Sequence, residues 1–89
     1  MSSYILQFSK QAKEDIRLHK KPGNRAITKK ITSLLNELTQ HPFTGTGKPE
    51  QLRYSLTRCW TQRINHEHRL IYEVTDSIVS ILSAYGHYE

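Results

Sequence analysis

The sequence predicts one two-layer α+β domain spanning residues 1–89, in the order β-α-α-β-β-β-β. Two N-terminal helices pack on one face of a twisted antiparallel sheet. Two changes of pattern and one length predict this. Ile27, Ile31, Leu34, Leu35 and Leu38 recur at the 3.6-residue spacing of an amphipathic helix. After Pro49 the apolar positions shift to a period of two: Leu52, Tyr54, Leu56; then Trp60, Gln62, Ile64; then His68, Leu70, Tyr72, Val74. The links between these runs are hairpin-short, so neighbouring strands are antiparallel and the helices must cover one sheet face. A chain of 89 residues holds a single, modest core.

Each element has its own justification. Tyr4–Phe8 alternates as a short strand. Ser9 is placed to cap a helix over about 10 to 20, with Glu14 and Asp15 near its start and Ala12, Ile16 and Leu18 facing inward. Pro22-Gly23 breaks it, and Asn24 caps the second helix, which ends before His41-Pro42. Gly45, Gly47 and Pro49 punctuate the loop that leads into the strands. Thr75-Asp76 turns the chain into a last apolar strand, 78–85, followed by a short tail.

Charge divides the chain. The net charge is +5 and the pI about 9.6, values that suit an acidic partner such as nucleic acid. Residues 1–47 carry eight Lys or Arg against three acids, while residues 48–89 carry five of each, so the whole excess lies in the first half. The second-helix lysines read as a solvated face that would touch phosphates without reading sequence. A single cysteine, Cys59, excludes an intrachain disulfide. No signal-peptide pattern and no apolar run of about 20 residues is present, so a cytoplasmic protein without a membrane partner is expected.

Strand parity sorts the polar residues. If Leu52, Tyr54, Trp60, Ile64, Leu70 and Tyr72 pack under the helices, Arg53, Arg63 and Arg69 project from the opposite face. Three guanidiniums on neighbouring strands form a cradle for phosphate, although solvated strand arginines are common. Ile71 on the same parity shows that this face is not wholly polar. Glu50 sits at the entrance to the sheet. Gly47-Lys48 is no phosphate loop, because that motif needs glycine at Pro42 and Ser or Thr at Pro49. His66-x-His68 puts two imidazoles on one strand face without a third ligand, so no metal is expected. Cys59 reads as a packed thiol, and Tyr54 and Trp60 as core. A carboxylate, a histidine, arginines and a tyrosine round one face are the parts of metal-free, cofactor-free RNA cleavage.

PFTGTGKPEQL, followed by W-x-x-R-I-N-x-E-H-R-L-I-Y and a terminal His-Tyr, closely resembles the YoeB/Txe toxins of the RelE/ParE superfamily, from about Ile27 to Tyr88. The resemblance implies an endoribonuclease that cuts mRNA in the A site of the 70S ribosome and arrests translation. It places the general base on Glu50, the general acid on His87, the phosphate-stabilising arginines on Arg69 and Arg63, and the terminal tyrosine on Tyr88. Arg53 stands where the family often has lysine, and with Lys48 it is a candidate for RNA-backbone contact. The implied partners are a YefM-type antitoxin, the ribosome and a second copy of the chain. Other members of the superfamily poison gyrase or serve as binding modules, which leaves a non-nucleolytic alternative. Glu89 departs from the family, which usually ends at the tyrosine.

Overall fold

The computed structural model describes residues 3–51 and 59–86. The elements are β1 (Ile5–Phe8), α1 (Lys10–Lys20), α2 (Arg25–Leu38), β2 (Glu50–Gln51), β3 (Cys59–Arg63), β4 (Arg69–Thr75) and β5 (Ile78–Ser83). They build one five-stranded sheet in the order β1-β5-β4-β3-β2. The expected fold class is borne out. The alternation of Leu52, Tyr54 and Leu56 with Arg53, and the tail with His87, Tyr88 and Glu89, lie outside the described residues.

One sheet edge differs from the all-antiparallel expectation. β2, β3, β4 and β5 pair antiparallel, but β1 runs parallel to β5, with Ile5 opposite Ile78 and Phe8 opposite Ile81. Among the described residues, short turns join β3 to β4 and β4 to β5 and constrain those strands alone. β1 reaches its neighbour through both helices, and a crossover of that length admits a parallel partner. Ser9 sets the junction. Its Oγ accepts the Ala12 N–H (2.9 Å), capping α1, and donates to the Leu82 carbonyl (2.9 Å), while its N–H donates to the Ile81 carbonyl (2.9 Å). Leu82 is the extra residue of a bulge, since Ile71 pairs with Ser83 and Tyr72 with Ile81. The start of α1 is thereby registered to the bulged part of β5.

The core lies between the helices and one sheet face. Ala12, Ile31, Leu34 and Leu38 meet Ile64, Leu70, Tyr72, Val79 and Ile81 there. Leu18 is not part of it. That residue is 46% exposed, and the inward positions of α1 are Ala12, Asp15 and His19. Asn24 caps α2 as the sequence suggests, accepting the Ile27 N–H at 3.2 Å.

The loop between α2 and β2 is fastened from beneath. Tyr72, fully buried, donates through Oη to the Pro42 carbonyl (2.5 Å) and accepts from Gln62 Nε2 (3.2 Å). Burial pushes the Tyr72 hydroxyl up to about 12, against a smaller downward pull from the Gln62 hydrogen bond. The Glu37 carboxylate accepts both the N–H (3.0 Å) and the Oγ1 hydroxyl (2.9 Å) of Thr46. Gly47 lies so close to the core that a Cβ would stand 2.7 Å from Gln62 Oε1 and 2.9 Å from Leu34 Cδ2. Gly47→Ala is therefore expected to cost about 1–3 kcal/mol through overpacking. Urea unfolding checks it: the midpoint should fall with the slope unchanged.

Candidate functional site

The β3–β4 hairpin fixes two arginines against each other. Asn65 Oδ1 accepts the N–H groups of Glu67 (2.9 Å) and His68 (2.7 Å), and the Ile64 N–H donates to the His68 carbonyl (3.0 Å). This turn sets Arg63 directly opposite Arg69. Their backbone N–H groups point away from each other, Arg63 to the Gly47 carbonyl (2.9 Å) and Arg69 to the Gly86 carbonyl (3.0 Å). The two arginines thus form a non-hydrogen-bonded pair, the closer kind, with Cα atoms about 4.5 Å apart. Like charges directly opposite are unfavourable in a sheet, and an anion held between them reverses the sign.

Glu50 joins the same face. It is the first residue of β2 and lies opposite Thr61, which is opposite Ile71. Trp60, Gln62, Leu70 and Tyr72 alternate with these positions and point into the core or its margin. Glu50, Arg63 and Arg69 therefore project from the side away from the helices. Arg63 is two residues from Thr61 along β3, the diagonal neighbour of Glu50 at roughly 7–8 Å. Glu50 and Arg63 are exposed and Arg69 half-buried. The floor between them is closed, with Thr61 and Ile71 at 4% and 7% exposure.

Lys48 is exposed and two residues ahead of Glu50, with φ at +53°, in the left-handed region that side chains other than glycine rarely adopt. Its N–H closes a turn onto the Gly45 carbonyl (3.3 Å) and so helps swing the chain from loop to sheet edge. Of the expected site residues, Glu50, Arg63, Arg69 and Lys48 are thus described, and the first three share one face. Arg53, His87 and Tyr88 fall outside the described residues. Gly86, the last described residue, has its carbonyl bonded to the Arg69 N–H.

Residues 8–88 match the model of the YoeB-like toxin of bacterial type II toxin–antitoxin systems. The chain belongs to this family. Toxin YoeB of Escherichia coli strain K12 is 40% identical over 74 residues, covering 83% of this chain and 88% of the relative. The YoeB dimer from Staphylococcus aureus superposes with a TM-score of 0.82 at 39% identity, covering 98% of this chain and 100% of that one. The YoeB–YefM complex from the same organism gives 0.79 at 40% identity with the same coverage. This YoeB-family chain therefore shares its arrangement of helices and sheet with these solved YoeB structures.

One expectation about a pair of residues changes. His66 and His68 do not share a strand face: both lie in the turn before β4, His66 exposed and His68 buried. Trp60 is half-buried against the core, its ring 5.0 Å from Phe43. The sequence reading also missed Asp15 and His19, each only 3% exposed. Their signal was available, because positions 12, 15, 16 and 19 form one stripe of α1 and two of the four are ionisable.

Proposed function

We propose that this YoeB-family toxin is a ribosome-dependent mRNA endoribonuclease that cleaves in the A site and halts translation. The observation that carries the reading is the directly opposed Arg63–Arg69 pair on the face that also holds Glu50. In this reading Glu50 takes the proton from a ribose 2′-hydroxyl, and the 2′-oxygen attacks the adjacent phosphorus. Arg69 and Arg63 stabilise the extra negative charge of the phosphorane. His87 gives its proton to the departing 5′-oxygen, leaving a 2′,3′-cyclic phosphate and a 5′-hydroxyl. Tyr88 supports the tail end of the site, while Lys48 and Arg53 contact the RNA backbone. Every role falls to a side chain, so the reaction asks for no metal.

The partners follow from the same reading. A YefM-type antitoxin neutralises the toxin, a second copy forms the homodimer, and the 70S ribosome presents the mRNA, which places the action in the cytoplasm. The solved YoeB dimer and YoeB–YefM complex of Staphylococcus aureus support the first two. The test is to add the protein to translating ribosomes and map mRNA 5′ ends. Cuts in phase with codons are expected. Intact mRNA together with trapped gyrase–DNA cleavage complexes would replace this reading with gyrase poisoning.

A further inference from the structure

Three buried ionisable side chains outside the proposed catalytic set converge on the chain end. Asp15 and His19 stand one turn apart on the inner face of α1, and both serve Ala84. Asp15 Oδ2 accepts the Ala84 N–H (2.9 Å), and His19 Nε2 donates to the Ala84 carbonyl (2.7 Å). Two residues on, the Gly86 N–H donates to His68 Nδ1 (2.9 Å), and the Gly86 carbonyl accepts the Arg69 N–H (3.0 Å). The Tyr85 ring lies over both imidazoles, with centroids 5.0 Å from His19 and 4.5 Å from His68; the two imidazoles meet edge to face at 4.6 Å. Gly86 takes φ +90°, a backbone conformation open to glycine and rare for other residues.

The three side chains take over where the sheet ends. Ladder pairing of β5 ends at Ser83, so the N–H and carbonyl of Ala84 and the N–H of Gly86 take their partners from these side chains, while the Gly86 carbonyl is held by the Arg69 N–H. Apolar side chains of similar volume would leave those groups without partners, at a cost of about 1–3 kcal/mol each, so the carboxylate and the two imidazoles suit this place. Here they meet the backbone directly before His87.

We propose that Asp15, His19 and His68 form a clamp that positions the chain end carrying His87, and that His68 is its proton-sensitive latch. The inference rests on the reading of His87 as the general acid. Nδ1 accepts the Gly86 N–H only through its lone pair, so a proton on that nitrogen turns acceptor into donor and breaks the bond. Burial, then the neighbouring His19, then His66 hold the His68 proton affinity below its ordinary value of 6.5, while Glu67, 3.9 Å from Nε2, raises it. The groups facing His68 are His19 from α1, with Asp15 one turn before it, Tyr85 from the chain end, and His66 and Glu67 from its own turn. The folded value is depressed, so the unfolded chain binds the proton more readily. The clamp contributes fully above about pH 6.5 and is lost as pH falls from there through the lower native value.

The test uses the intact protein in two assays. Amide exchange of the free protein reports the clamp without RNA. Protection of the Gly86 N–H should fall by about tenfold between pH 7.5 and 5.5, the equivalent of one hydrogen bond. His68→Gln, whose amide oxygen accepts but does not titrate, should flatten that change. His68→Leu should lower Gly86 protection about tenfold at both pH values. In single-turnover cleavage on ribosomes, His68→Leu should lower the rate without weakening ribosome binding, and His68→Gln should restore most of the loss and remove the acid-side limb. Gly86 protection that follows pH identically in wild type and His68→Gln would overturn the latch. Should the exchange results hold while no RNA is cut, the clamp stands and the catalytic reading falls.

Discussion

Glu50→Gln is expected to lower ribosome-dependent mRNA cleavage by about 10²–10⁴-fold, the usual contribution of a positioned general base. Glutamine keeps the size and the accepting oxygen but cannot take a proton. Glu50 is exposed at the sheet edge, and substitutions at such positions usually shift stability by no more than about 0.5 kcal/mol. The loss should therefore appear in the chemical step, with ribosome binding and melting temperature near those of wild type. Single-turnover cleavage at saturating ribosome, beside a binding titration, separates the two. A variant that cuts at the wild-type rate would remove Glu50 from the role of base and leave the arginine pair as an RNA-binding feature.

The contrast between residues that could and could not be read from the sequence has a physical basis. Parity along a strand is local, so Arg63 and Arg69 could be assigned to one face from alternation alone, and the β3–β4 register agrees. Register itself is not local. That the two arginines are directly opposed depends on the Asn65 turn, whose side chain captures two backbone donors. The parallel pairing of β1 was equally illegible, because no short turn connects that strand to β5. On α1, helical spacing suggested Leu18 as an inward residue, but the stripe that faces the sheet runs through Asp15 and His19. Hydrophobicity is a guide to burial only where the buried surface is apolar. The end of β5 presents bare backbone donors and acceptors, and there a carboxylate and an imidazole fit better than leucine. The roles proposed for Glu50 and His87 rest on family resemblance, since no period or spacing places two residues of different elements within reach of one phosphate.

Arg69→Ala carries the other large effect, an expected loss of about 10²–10³-fold in cleavage, the magnitude for deleting one donor to a developing oxyanion. Arg69 is the member of the pair tied to both halves of the proposed site. Its side chain leaves the Glu50 face, and its N–H holds the Gly86 carbonyl next to His87 in the chain. Substitution by alanine removes the guanidinium but keeps that backbone bond, so the tail anchor persists and the loss reports charge stabilisation. Arg69→Lys is the sharper variant. It preserves the charge and loses the planar fork, and should recover only part of the activity if two phosphate oxygens are held at once. Arg63 stands more exposed and opposite, so Arg63→Ala should cost less and weaken RNA binding more than the chemical step. Because the two like charges repel in the free protein, either alanine variant should be as stable as wild type or slightly more so. Thermal melting of the free toxin checks this sign. A clear drop in stability for both variants would mean that the pair is a structural element satisfied within the fold and not a cradle awaiting phosphate.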